Sequence, residues 1–145
     1  MDVKISGVGL YLPPEIETSA ELAKKIKYNE SWIVSKTGVK ERRISDVDVD
    51  IMGAFAGKEA IGKNQKPNLI INASGVPKQI IPDTSAFYQK AMGYEGIPSF
   101  SIHCTCLSFV VALNIASEMI HNKSMKRILI ISSDRGTRGR NFEEP

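Results

Sequence analysis

Two cysteines stand two residues apart in the run His103-Cys104-Thr105-Cys106-Leu107-Ser108-Phe109. A histidine and two thiols this close can supply a nucleophile, ligate a metal, or fill a core. Residues 98–109 read as a short buried strand that turns directly into an apolar helix. A thiol at a helix N-terminus faces unpaired backbone N–H groups and the positive end of the helix dipole, and both favour thiolate over thiol. A strand, a tight turn bearing the reactive atom and a helix also form the nucleophile elbow of hydrolases. Cys106 falls at the first helical turn. Cys104 shares a strand face with Phe100 and Ile102, which suits a small core residue.

A nucleophilic thiol also needs a base or orienting partner. His103 is too close in sequence and points to the strand face opposite Cys104. His121 lies 15 residues beyond Cys106, roughly 22 Å along a helix at 1.5 Å per residue. Neither is a good partner. Metal binding by the His-Cys-x-Cys group would need a second Cys/His pair, and the sequence has none, so no metal site is expected. On these residues alone, a nucleophilic thiol and a buried structural thiol both stay open.

Composition narrows the function classes. The net charge of +3 over 145 residues is mild. It permits an acidic partner or a phosphate-bearing ligand, but no basic cluster interleaved with aromatics argues for nucleic acid. Two cysteines make no disulfide framework, and a reduced cytoplasmic setting is expected. The first residues open straight into a strand-like run without a signal peptide, and no long apolar segment suggests a membrane.

The elements that must position the thiol follow from periodicity. Residues 3–12 read as a strand, with Gly7 and Gly9 allowing close backbone approach. Thr18-Ser19-Ala20-Glu21 resembles a capping box opening a helix through Ile26. A second helical piece runs from Asn29 and stops at Thr37-Gly38, followed by an exposed basic strand at 39–44. Trp32, the sole tryptophan, reads by itself as a packing residue. Residues 45–61 carry apolar side chains at spacings of three and four, which predicts a helix. A buried strand is expected at 68–73, a helix from Pro82-Asp83-Thr84-Ser85 to Gly93, a strand at 99–104, a helix at 106–121 and a fully buried strand at 127–133.

Strands alternating with helices predict a layered α/β fold around a mixed, mostly parallel five-stranded sheet. The helix at 106–121 is apolar nearly all round, so it is expected to be buried in a larger fold. The chain is expected to form one domain over 1–145, with 134–145 as an irregular tail or linker. The chain has too little sequence to cover that helix, so another chain or a missing second half is expected to pack on it. The chain alone is expected to self-associate or dissolve poorly.

Several stretches together resemble the N-terminal half of β-ketoacyl-acyl-carrier-protein synthase III, within the thiolase-like condensing enzymes. They are Gly7-Val8-Gly9-Leu10-Tyr11-Leu12-Pro13, Ser31-Trp32-Ile33, Thr37-Gly38-Val39-Lys40-Glu41-Arg42-Arg43-Ile44, Ile81-Pro82-Asp83-Thr84-Ser85, Phe100-Ser101-Ile102 leading to Cys106, and Ser132-Ser133-Asp134. The resemblance implies a thiolase-like half with a buried nucleophile-bearing helix. It places the acyl-accepting nucleophile on Cys106. It places Trp32 where the adenine of coenzyme A stacks, and Lys36 where an arginine often lies near the same nucleotide. A lysine there keeps the charge but loses the planar fork. Ile81 falls on a loop that reaches across a dimer to close the partner's acyl pocket.

The implied reaction is acyl transfer from acyl-CoA to Cys106, then decarboxylative condensation with malonyl-acyl carrier protein in fatty-acid or polyketide-type synthesis. Coenzyme A thioester is a substrate here, and no permanently bound cofactor is implied. The implied partners are acyl-CoA, acyl carrier protein and either a second copy or a complementary C-terminal half. The family's catalytic histidine, asparagine and oxyanion-hole glycine belong to its second half, which this sequence does not include. The residues around Cys106 are also bulkier than the family's alanines and glycine. Two alternatives are a non-catalytic structural subunit and an acyltransferase that works without decarboxylation.

Overall fold

Residues 3–137 are described by the computed structural model, and they fall into two compact units. The smaller comprises residues 12–46 and 135–137, the larger residues 3–11 and 47–134.

In the smaller unit, β1 (Glu15–Thr18) pairs antiparallel with β2 (Glu41–Ile44), in a register that sets Glu15 opposite Ile44 and Thr18 opposite Glu41. Between them lie α1 (Ser19–Ala23) and α2 (Glu30–Thr37). The expected capping box is present. Thr18 Oγ1 accepts the Glu21 N–H at 3.2 Å, and the Glu21 carboxylate accepts the Thr18 N–H at 2.7 Å, so each end satisfies an otherwise unpaired donor. Gly38 ends α2 at φ +70, a conformation that glycine adopts without strain. The helix from Thr18 stops at Ala23, short of the expected Ile26.

The larger unit holds α3 (Val49–Ile61), β3 (Leu69–Asn72), α4 (Thr84–Met92), β4 (Ser99–Ser101), α5 (Ser108–His121) and β5 (Ile128–Ile131). Its sheet is parallel, in the order β4-β3-β5. Alternation along β3 feeds two cores. Ile70 joins Ala54, Tyr88, Met92, Leu129 and Ile131, so α3 and α4 cover one face. Leu69 and Ile71 join Ala112 and Ala116 of α5 on the other.

Several expectations need correction. Among the described residues, five strands form two sheets rather than one. Residues 3–12 contain no strand. They have no ladder partner, although the close approach of their glycines holds: a Cβ on Gly7 would lie 2.0 Å from the Ala60 carbonyl oxygen. A strand forms instead at Glu15–Thr18, where alternation was weak and pairing with β2 supplies the order. β5 is only half buried, because it lies at a sheet edge, and Ile128 and Ile130 stay partly exposed. The helix bearing the thiol turn is not buried all round. Ser108, Ala112 and Ala116 form its buried stripe, while Phe109 is 43% and Val110 60% exposed, so this chain leaves the helix partly uncovered, as its short sequence predicted. In the expected tail, residues 134–137 carry no helix or strand, and 138–145 lie outside the described residues.

Candidate active site

Because β3, β4 and β5 are parallel, their carboxyl ends share one edge of the sheet, the side on which open α/β sheets bind ligands. Three segments leave that edge: 73–76 after β3, 102–107 after β4 and 132–134 after β5. They come close together. A Cβ on Gly75 would lie 3.5 Å from Asp134 Oδ1 and 3.9 Å from the Thr105 carbonyl oxygen. Asp134 Oδ1 also accepts the Val76 N–H.

The segment after β4 carries both thiols. Ile102 donates its N–H to the Asn72 carbonyl at 2.8 Å, and the chain then turns out of the sheet. Cys104 has φ −130 and ψ 35, and Thr105 has φ +50. For a β-branched residue that left-handed conformation is strained. A single 3-10 turn over Thr105–Leu107 leads into α5. Both cysteines are free and exposed. Cys104 as a core residue is therefore corrected: regular strand ends at Ser101, so strand alternation does not reach it. Cys106 lies on the turn between strand and helix, as the spacing predicted.

Polar groups beneath this edge are buried and paired. The Ser74 hydroxyl lies 3.0 Å from the Tyr88 hydroxyl and accepts the Ser133 N–H at 3.0 Å, while the Ser133 hydroxyl donates to the Val49 carbonyl at 2.8 Å. Burial pushes the Tyr88 hydroxyl from 10.0 up to about 12, so it stays protonated and works as a structural hydrogen-bonding group. Asn72 Nδ2 donates to Ser101 Oγ at 2.8 Å, and that hydroxyl donates to Asp83 Oδ1 at 3.0 Å. Asp83 caps α4 through the Ser85 N–H. These hydrogen bonds end at Asp83, two residues beyond Ile81, which is 86% exposed.

Trp32 and Lys36 lie one turn apart on α2 of the smaller unit, on the same helix face. Trp32 is 39% exposed and stacks on Tyr28 with 3.9 Å between ring centroids. Cys106 and Ile81 belong to the larger unit. His103 is exposed, and His121 is the last residue of α5. Among the described residues, no group of three or more His, Cys, Asp or Glu is arranged to hold a metal ion, and no helix is long and apolar enough to cross a membrane.

Sequence reasoning named Thr105 and Ser108 only as bulky neighbours of the thiol, and Asp134 only within a family stretch, without the hydrogen bonds that shape the turn and its surroundings. It missed Lys78, which bonds the buried Asp50 at 2.7 Å and lies 5.0 Å from the centre of the Phe87 ring. Asp134 and Lys78 act through partners distant in sequence, whereas Ser108 acts on nearby Cys104 and Thr105 but reads as an ordinary helix start.

The family model described as 3-oxoacyl-[acyl-carrier-protein (ACP)] synthase III matches residues 100–144. The beta-ketoacyl-[acyl-carrier-protein] synthase III 1 of Vibrio vulnificus (strain YJ016) is 38% identical over 138 residues, covering 90% of this chain and 43% of its own length. The synthase III of Aquifex aeolicus (strain VF5) is 33% identical over 149 residues, covering 99% of this chain and 48% of its own. A crystal structure of 3-oxoacyl-[acyl-carrier-protein] synthase III from Aquifex aeolicus VF5 superposes with TM-score 0.91 at 32% identity, covering 97% of this chain and 47% of that one. A priming beta-ketosynthase from the R1128 polyketide biosynthetic pathway, at 23% identity, shares the fold with TM-score 0.88 over 97% of this chain and 44% of that one. The chain thus spans a little under half the length of these relatives. The resemblance to the N-terminal half of β-ketoacyl-acyl-carrier-protein synthase III holds, and the fold is thiolase-like α/β.

Proposed function

We propose that this chain supplies the acyl-accepting part of a condensing enzyme of the β-ketoacyl-acyl-carrier-protein synthase III type. The observation that carries the reading is the exposed Cys106 on a strained strand-to-helix turn, at the carboxyl edge of a parallel sheet. In this reading the Cys106 thiolate attacks the thioester carbonyl of an acyl-CoA, and backbone N–H groups hold the tetrahedral oxyanion. The carbon–sulfur bond to coenzyme A breaks, and coenzyme A leaves as a thiol after taking a proton. Malonyl-acyl carrier protein then loses carbon dioxide. The resulting enolate carbon attacks the Cys106 thioester, which releases a β-ketoacyl-acyl carrier protein and frees Cys106.

Trp32 offers an aromatic face for the adenine of coenzyme A, and Lys36 offers charge to its phosphates. Ile81 closes the acyl pocket of a second copy. His103 and His121 are poorly suited to decarboxylation, so the reading assigns that step to a histidine and an asparagine on a complementary second half. Coenzyme A enters as substrate, and the assembly works in the cytoplasm without a resident cofactor.

The test is incubation of the chain with acetyl-CoA, alone and with a second half supplied, followed by peptide mass spectrometry. An acetyl thioester on Cys106, absent in Cys106→Ala, is expected. No adduct with the second half present would overturn the reading and favour a structural subunit. Acetylation without consumption of malonyl-acyl carrier protein would reduce it to acyl transfer alone.

A further inference from the structure

The first residue of α5 is a serine with 1% exposure, and both capacities of its hydroxyl are used on the turn before it. Ser108 Oγ accepts the Cys104 N–H at 2.9 Å and donates to the Thr105 carbonyl at 2.7 Å. The Ser108 N–H also donates to that carbonyl. A serine that only caps a helix accepts from N–H groups further along it. Ser108 instead faces backwards, onto the residues that precede the thiol.

Those residues need holding. Thr105 has φ +50, a region that β-branched residues seldom occupy unless their surroundings enforce it. Cys106 is bracketed: Cys104 and Thr105 are tied on one side, and the tie is anchored in the buried stripe of α5 on the other. The thiol itself stays exposed. Ser74, Tyr88 and Ser133 stabilise the same sheet edge, but their hydrogen bonds do not reach this turn.

We infer that Ser108 is a positioning residue for Cys106: its buried hydroxyl locks the strained Cys104–Thr105 turn and so fixes where the thiol points. The inference rests on Cys106 being the reactive thiol. Locking acts on rate, because misplacing a reacting group by about 1 Å can cost on the order of 100-fold.

The test compares wild type, Ser108→Ala, Ser108→Thr, Thr105→Gly and the Ser108→Ala/Thr105→Gly double variant. One readout is the single-turnover rate of Cys106 acetylation across acetyl-CoA concentrations. The other is the ratio of Cys106 to Cys104 alkylation by iodoacetamide in the same sample, read by peptide mass spectrometry. Ser108→Ala is expected to lower the saturating acetylation rate by about 10- to 100-fold, with the half-saturating concentration unchanged, and to lower the alkylation ratio. Ser108→Thr keeps the hydroxyl and should restore both. In the Thr105→Gly background the loss from Ser108→Ala should largely vanish, since glycine holds a positive φ unaided.

An unchanged rate and ratio in Ser108→Ala overturns the inference. An equal loss in the threonine and glycine backgrounds does so too. Should Ser108→Ala fail to fold, the double variant against Thr105→Gly decides. If acetyl-CoA leaves wild-type Cys106 unmodified, the acyl-accepting reading fails, and the alkylation ratio alone judges Ser108.

Discussion

The larger unit sets its candidate site on a deeply buried core, whereas the smaller rests its own largely on local surface contacts. Beneath the Cys106 turn, Ile70, Ile71 and Tyr88 have no exposed surface, and Ser74, Ser133 and Tyr88 pair in the interior. In the unit that holds Trp32 and Lys36, Leu22 of α1 and Ile33 of α2 are the buried apolar anchors among the described residues. Much of the order there comes from the Thr18–Glu21 box, the β1–β2 ladder and the Glu17 ion pairs. In the proposed function, a thiol that must meet a carbonyl carbon needs the first kind of support. In the same proposal, an aromatic face and a charge that grip a nucleotide tolerate the second. Perturbations of pH should therefore separate the two units.

The strongest way to break the comparison is Tyr88→Phe. At neutral pH, losing the hydroxyl bond to Ser74 should cost about 1 kcal/mol. The sign reverses in alkali. Burial holds the native hydroxyl at about 12 against 10.0 for the free group. Stability from the neutral form is complete below pH 10 and is lost as pH rises towards 12, to the extent of about 3 kcal/mol. Phenylalanine carries no such loss. Urea unfolding followed by circular dichroism should show the wild type more stable at neutral pH and the variant more stable near pH 12. Parallel curves would mean that the hydroxyl is not buried as described.

What could be read in the sequence tracks how local each determinant is. The Thr18 box, the Gly38 and Gly93 stops and the apolar β3 are set by neighbours within a few residues, and all were found at or near their expected places. The strand at 15–18 was missed, and one was expected at 3–12, because strands are decided by pairing partners distant in sequence. The same cause misplaced Cys104. Its alternation with Phe100 and Ile102 was correct arithmetic for a strand, but the ladder ends at Ser101. The spacing left Cys104 and Cys106 both open, and the resemblance selected Cys106. The Ser108 clamp was hidden because serine at a helix start reads as an ordinary cap.

Within the smaller unit, Thr18→Ala removes the hydroxyl that accepts the Glu21 N–H. The expected loss is about 1 kcal/mol. Trp32 is the only tryptophan and stacks on Tyr28, so its fluorescence during urea unfolding reports on this unit. Cys106 alkylation should be unchanged under native conditions. A matching fall in Cys106 reactivity would show that the two units do not hold their residues independently.

The smallest expected effect is the most specific to charge. The hydrogen bond from Lys25 Nζ at 2.6 Å, aided by the Lys25 and Arg42 charges, holds the Glu17 carboxyl below its ordinary 4.5, although burial opposes this. A carboxyl depressed in the native state contributes stability above its ordinary value, and that stability is lost as pH falls through the native value. Lys25 is more than half exposed, so solvent screens the pair, and Glu17→Gln should cost under about 1 kcal/mol at pH 7. Followed by Trp32 fluorescence, the difference between variant and wild type should shrink below pH 4.5. Added salt should shrink it at neutral pH as well, because the exposed Lys25 end of the pair is screened. A difference independent of both pH and salt would mean that Glu17 acts through packing rather than charge, and the smaller unit would then be held together as the larger one is.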